Sequence, residues 1–211
     1  YYARQSEART QQLARAELQQ LKSQLHPHFL FNTLNAISSC VRTDPEVATQ
    51  TITRLSTLLR HALQRATAQE VSLDEELAVL EAYLGIEQLR FDDRLQVAWR
   101  VDPAARRAMV PHLVLQPLVE NAIRHGITPR ASRGTVEVAA ERVDATLRLT
   151  VTDDGVGCDP AALSHHGVGL TNTRHRLQQL YGARHAMRVM TSPGCGMVIA
   201  IELPYREFRA A

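Results

Sequence analysis

Four stretches of this chain gather residues whose types and spacing can do chemistry. The first is Gln24-Leu-His-Pro-His-Phe-Leu-Phe-Asn-Thr-Leu-Asn35, which sets two histidines around Pro27. Proline cannot donate to the carbonyl four residues earlier, and it disfavours helical geometry at the residue before it. A helix running through this segment is therefore expected to kink just ahead of His28. Phe29, Leu30 and Phe31 would clamp the segment into a bundle and leave an imidazole at a fixed point, as a nitrogen nucleophile requires. A solvent-facing histidine beside a proline kink is the competing reading of the same residues.

The other three stretches suit a flat, anionic ligand. Leu115-Gln-Pro-Leu-Val-Glu-Asn-Ala-Ile-Arg-His-Gly126 puts Glu120, Asn121, Arg124 and His125 on an otherwise apolar helix. Asn121, Arg124 and His125 are spaced i, i+3, i+4 and share one face, where they could hold a hard cation and phosphate. Asp153-Asp154-Gly155-Val156-Gly157 follows an apolar strand. A carboxylate at a strand end can accept from an exocyclic amine, and glycines let a ring approach the backbone closely. Gly167-Val168-Gly169-Leu170 runs into a helix start, whose N–H groups suit phosphate oxygens. Taken singly, each glycine pair is also the sequence of a tight turn.

The elements that must position these residues change character near residue 94. Before it, Thr10 to Lys22 lacks Gly and Pro, and Leu18, Leu21 and Leu25 step by three and four, the spacing of a narrow helical seam. The period resumes with Leu30, Leu34, Ile37 and Val41. Asp44-Pro45 then caps and opens a helix with Ala48, Ile52, Leu55, Leu59 and Ala62 on one side. Ser72-Leu-Asp-Glu75 is a capping box, opening a third helix with Leu73, Leu77, Leu80 and Leu84. None of these helices buries its stripe alone, so a bundle or a dimer is expected.

After Arg94 the period is two. Leu95, Val97, Trp99 and Val101 read as a half-buried strand. Pro111 to His125 reads as a helix bent or shortened by Pro117. A hairpin turns around Asp144, a helix carries Leu170, Leu177 and Leu180, and two strands near 187–190 and 197–203 complete the pattern. The expected organisation is α+β, with a helical region over 1–94 and a mixed α/β layer over 95–211 whose helices cover one face.

Composition narrows the function class. Twenty-four Lys+Arg against 22 Asp+Glu, over 211 residues, is too even for a binder driven onto nucleic acid by charge. Three widely spaced cysteines without a CxxC pair argue against a disulfide-stapled module and a structural zinc site. No apolar run reaches the ~20 residues that cross a bilayer, and no signal peptide opens the chain. A soluble protein of a reducing compartment is expected, and the start at Tyr1 rather than Met suggests a piece of something longer. His61, His112, His175 and His185 read as surface positions, His165 and His166 as a solvated pair, and Arg174 and Arg176 as a solvated helix face.

An Asn-bearing helix, then Asp-x-Gly-x-Gly, then Gly-x-Gly-Leu, in that order over residues 95–205, resembles the GHKL (Bergerat-type) α/β sandwich ATP-binding domain of histidine kinases, gyrase B, Hsp90 and MutL. The resemblance implies ATP and Mg²⁺ as ligands, with Asn121 on the metal and Asp153 on the adenine amine. It further implies Gly155 and Gly157 along the purine pocket, Gly167, Gly169 and Leu170 at the lid, and Arg124 and His125 on phosphate. The family usually closes with Gly-x-Gly-Thr, whose Thr supports the adenine Asp through water. This chain has Gly194-Cys-Gly-Met197; Thr152 or Thr191 could substitute.

Pro27-His-Phe-Leu-Phe-Asn-Thr-Leu-Asn35, Tyr83-Leu-Gly-Ile-Glu-Gln-Leu-Arg-Phe91 and Gln116-Pro-Leu-Val-Glu-Asn-Ala122 are similar to the LytS/YehU sensor histidine kinases, from about Leu21 to Pro204. That resemblance implies a helical dimerisation and phosphoacceptor region ahead of the ATP domain. His28 is the implied phosphoacceptor; His26 stands where the family commonly has Asn or another polar residue. Asn32 could orient the ring and Glu120 could serve as base. It implies a homodimer that passes phosphate to a response regulator, of a kind that often carries a LytTR DNA-binding domain, with no direct nucleic-acid contact. It also implies a cytoplasmic kinase core, joined in the full-length protein to a membrane or sensor region. A catalytically silent ATP-binding relay and an ATP-driven dimerisation clamp are the alternatives on the same fold.

Overall fold

Residues 27–64, 68–161 and 168–208 are described by the computed structural model, and the chain divides between Thr67 and Ala68 into two units. In the first, α1 (Pro27–Thr43) and α2 (Pro45–Gln64) pack on each other as a hairpin. The turn follows the sequence reading: Asp44 Oδ1 accepts the Val47 N–H at 3.1 Å, and Pro45 takes the first helical position, where no N–H is needed. The helix expected over residues 10–22 and the kink ahead of His28 fall at residues outside those described.

The buried line of this hairpin differs from the expected stripe. Phe29 and Thr33 are buried on α1, and Ala48, Thr51, Leu55 and Leu58 on α2. Both buried threonines return their hydroxyls to carbonyls of their own helix, Thr33 to Phe29 at 2.9 Å and Thr51 to Val47 at 2.7 Å, so they enter the interior without orphaned donors. Leu34, Val41 and Ile52, read as inward-facing, are exposed together with Phe31. A hairpin gives each helix one neighbour, which covers only part of an apolar stripe this wide.

The second unit opens with β1 (Glu70–Ser72) and α3 (Leu73–Phe91). The capping box is formed: Ser72 Oγ accepts the Glu75 N–H at 3.2 Å, and Glu75 Oε2 accepts the Ser72 N–H at 3.1 Å. Leu73, Leu77, Leu80 and Leu84 are all buried. The Leu73 and Asp74 N–H groups donate to Ala108 and Arg106, and β1 pairs antiparallel with β3 (Met109–Pro111). The change of period near residue 94 thus lies within this unit, where α3 gives way to β2 (Leu95–Val101), and marks a change of element.

Five strands form the main sheet in the order β2, β4 (Gly134–Val143), β5 (Thr146–Asp153), β7 (Met197–Pro204), β6 (Ala186–Thr191). Only β2 and β4 run parallel; the remaining pairs are antiparallel. Asp144, at φ 53°, turns the β4–β5 hairpin where the sequence placed it. Cross-strand register builds the inner face in rows: Val138–Val151–Ile199, then Ala140–Leu149–Ile201, all buried. The end row is Val136–Asp153–Met197, which sets a carboxylate and a thioether side by side on the face that points into the sandwich. The outer face carries charge, with Arg148 bridging Glu141 at 2.9 Å and Glu202 at 3.3 Å. Trp99 lies on edge strand β2 and is 37% exposed, more open than strict alternation predicts, because an edge residue lacks a neighbour on one side.

The helix expected over Pro111–His125 is shorter. Pro111 ends β3, residues 112–115 form a turn, and α4 spans Gln116–Asn121 with Pro117 in its first turn. A π-helical turn, Ala122–Ile127, continues it, and α5 (Val168–Tyr181) packs beside α4.

Candidate active site

α4 starts where it does because a buried carboxylate takes up its loose donors. Leu113 adopts φ 56°, and its N–H donates to Glu76 Oε2 at 2.7 Å; the Leu115 N–H donates to Glu76 Oε1 at 2.9 Å. The Leu115 N–H, at the N-cap, is one that a helix start leaves unpaired, and the Leu113 N–H belongs to the turn before it. Burial pushes the Glu76 carboxyl up to about 7, against the pull of these N–H groups and of the Arg176 charge. Arg176, on α5, donates to the carbonyls of His112 and, at 3.0 Å, Gln69. Its own basicity is lowered by burial. The structure therefore corrects two readings: His112 is buried, not at the surface, and Arg176 is a half-buried clasp, not part of a solvated face.

Asp153 ends β5 on the inner face and is only 4% exposed. Its Oδ1 accepts the Gly155 N–H at 2.9 Å. Burial nevertheless pushes it up to about 6, helped by the neighbouring Asp154 charge. Asp154 turns the other way, accepting the Thr135 N–H at 2.8 Å. Backbones crowd around the inner carboxylate: a Cβ on Gly155 would stand 2.3 Å from the Gly126 Cα, and one on Gly126 would stand 2.4 Å from Asp153 Oδ1. Only glycine allows this approach at both positions. Gly157, at φ 59°, turns the chain beneath Ser192.

Asn121 closes α4 and reaches the same row of the sheet, its Nδ2 lying 3.4 Å from Met197 Sδ. One turn earlier Gln116 Nε2 donates to Glu120 Oε1 at 2.8 Å. Arg124 and His125 fall on the π-helical turn, where Thr128 N–H bonds to Ile123 five residues back. The α-helical i, i+3, i+4 spacing therefore does not continue past Asn121. Both side chains are exposed, and desolvation with the Arg124 charge lowers the basicity of His125.

Gly169 and Leu170 lie in the first turn of α5, Leu170 buried; Gly167, His165 and His166 are outside the described residues. His28 lies in the first turn of α1 and Asn32 is half-buried on the same helix, so both belong to the first unit. Neither threonine offered in place of the usual one replaces it. The Thr191 hydroxyl is engaged by Gly196 O at 2.7 Å and the Cys158 N–H at 3.1 Å, and Thr152, one residue from Asp153, faces the opposite side of the sheet. Sequence reasoning missed Glu76, hidden among acidic residues of a capping turn, and Gly126, which reads as an ordinary helix end.

The residues present fit an adenine nucleotide. A buried carboxylate with spare lone pairs sits in a wall of glycine backbone, and an amide reaches the same row of the sheet. Among the described residues no cluster of three His, Cys, Asp or Glu offers a ready-made cation site.

Two family models match in succession: histidine kinase over residues 16–95, and histidine kinase-, DNA gyrase B- and HSP90-like ATPase over 108–207. The chain is 39% identical to the sensor histidine kinase YpdA of Escherichia coli, over 80% of this chain and 31% of that protein. It is 36% identical to the sensor protein LytS of Staphylococcus haemolyticus, over 95% and 36%. With E. coli BtsS, another sensor histidine kinase, identity is 35%, over 97% and 36%. The chain thus spans about a third of the length of these relatives. Its fold is that of the histidine kinase domain from the Erythrobacter litoralis blue-light activated histidine kinase, with TM-score 0.53 at 19% identity over 90% of this chain and 93% of that one. The fold is shared also with the histidine kinase ThkA, solved in complex with the response regulator protein TrrA, with TM-score 0.51 at 17% identity over 96% and 66%. With both halves matched in order, and with long alignments to LytS and BtsS, this chain belongs to the LytS/YehU-type sensor histidine kinases.

Proposed function

We propose that this chain is the kinase core of a two-component sensor, which phosphorylates His28 from MgATP and passes the phosphoryl group to a response regulator. The observation that carries the reading is the buried Asp153 carboxylate, walled by Gly126 and Gly155, with the Asn121 amide against the same row of the sheet. Asp153 accepts from the adenine amine, Gly155 and Gly157 give the ring room, and Gly167, Gly169 and Leu170 serve the lid over the phosphates. Asn121 holds the metal through Oδ1, while Arg124 and His125 meet phosphate oxygens. Mg²⁺, when bound, neutralises charge on the transferring group.

The His28 imidazole supplies the electron pair of its neutral nitrogen to the γ-phosphorus as the bond from phosphorus to the ADP oxygen breaks. The proton on the other ring nitrogen is then given up, with Asn32 orienting the ring and Glu120, steadied by Gln116, as the acceptor. The first unit carries the phosphoacceptor and dimer contacts, and the second, with α3 packed into it, carries nucleotide binding. Exposed Phe31, Leu34, Val41 and Ile52 on the hairpin support a homodimer. The ThkA–TrrA complex supports a response regulator as partner, for which we propose the LytTR type. No described helix is long and apolar enough to cross a membrane. We place the core in the cytoplasm, joined in the full-length protein to a membrane-borne sensor region.

Incubation with γ-³²P-ATP and Mg²⁺ tests the reading. Wild type should take up label that resists alkali and is lost in acid. His28→Gln should abolish it and His26→Gln should not. A wild-type chain that binds a fluorescent ATP analogue but stays unlabelled would be the silent relay instead.

A further inference from the structure

Met197 stands where the resemblance carries threonine, and it touches the residue assigned to the metal. We propose that Met197 is a positioning residue, setting the metal dependence of nucleotide binding by fixing which end of the Asn121 amide faces the cation. The proposal rests on the nucleotide-site reading above and deepens it.

Register and chemistry carry it. Met197 pairs with Asp153 across β5 and β7, so both side chains point to the helices. Asn121 Nδ2 lies 3.4 Å from Met197 Sδ. A thioether sulfur has no hydrogen to give and can only accept, so the end of the amide turned toward it must be the NH₂ group. Oδ1 sits on the opposite branch of the same planar group and is turned away from the sulfur, free to serve as a hard oxygen ligand. A hydroxyl at this position, which donates and accepts, would tolerate either orientation. Both nearby threonines are otherwise disposed, Thr191 toward Gly196 and Cys158 and Thr152 toward the outer face. The substitution thus gives up a hydroxyl that could support Asp153 and gains a one-way orienting contact on Asn121.

The test is calorimetric binding of ADP to the whole chain in Mg²⁺ and in EDTA, compared between wild type, Met197→Leu and Met197→Thr, each alone and with Asn121→Ala. Leucine keeps the volume and removes the acceptor, and far-UV dichroism verifies that each variant is folded. Wild type should bind ADP more tightly in Mg²⁺ than in EDTA. Loss of one such hydrogen bond should cut that tightening about three- to tenfold in Met197→Leu, with binding in EDTA little changed. Met197→Thr should lose part of it, and in the Asn121→Ala background neither change should matter. A Met197→Leu chain that keeps the full Mg²⁺ dependence overturns the proposal. So does one that alters the dependence even without Asn121, since the residue would then act through pocket shape. A wild-type chain that binds no ADP under either condition removes the nucleotide reading itself.

Discussion

Arg176 donates to the carbonyl oxygen of Gln69 at 3.0 Å, across 107 residues of sequence. With its second bond, to His112 O, it pins α5 to the backbone just ahead of β1 and to the turn that starts α4. A planar guanidinium reaches both carbonyls at once and an ammonium does not. Arg176→Lys should therefore destabilise the second unit by on the order of 1–3 kcal/mol, and Arg176→Met by more, since the buried Glu76 carboxylate loses a cation. Urea unfolding measures both; equal stability of wild type and Arg176→Lys would show that the second bond contributes nothing.

Glu76 makes stability depend on pH. Its carboxyl titrates near 4.5 when unfolded and is held at about 7 in the fold, chiefly by burial. The folded state therefore binds more protons between those values. The contribution is fully present below the unfolded value and is lost as pH rises through about 7. At 1.36 kcal/mol per unit, wild type should lose on the order of 3 kcal/mol relative to Glu76→Gln between pH 4.5 and 8. Chemical denaturation of the two chains at several pH values reads this difference directly, and a difference that stays flat would mean Glu76 titrates as an ordinary surface carboxylate.

Asp153 predicts a pH dependence of binding instead. An amine donor needs the ionised carboxylate, and burial sets that transition at about 6. ADP affinity should be constant well above pH 6 and fall as pH drops through it. Asp153→Asn should weaken binding roughly 10- to 100-fold, the worth of a hydrogen bond to a charged group, and remove the slope. A wild-type profile without a break between pH 5 and 7 would show that this carboxylate does not carry recognition.

What the sequence made legible was local. The Ser72–Glu75 box, the Asp44–Pro45 turn and the hairpin around Asp144 each rest on neighbours a few residues apart, and each stands in the fold as read. Long-range partners decided the rest. Pro111 to Leu115 is apolar enough to read as helix, but Pro111 pairs with Glu70 and the following donors belong to Glu76. The burial of His112 and the work of Arg176 follow from the same association, for which neither residue carries a local signal. On the hairpin the apolar stripe was visible, but which part of it a neighbour covers is not a property of one helix.

Trp99 is the only tryptophan in the chain, and it sits on the edge strand of the second unit, 37% open to solvent. Its emission therefore reports melting of the sandwich and is silent about the helical hairpin, whereas dichroism at 222 nm weighs both. Followed together through one denaturant titration, the two signals should coincide only if the helical hairpin and the sandwich come apart as a single cooperative unit.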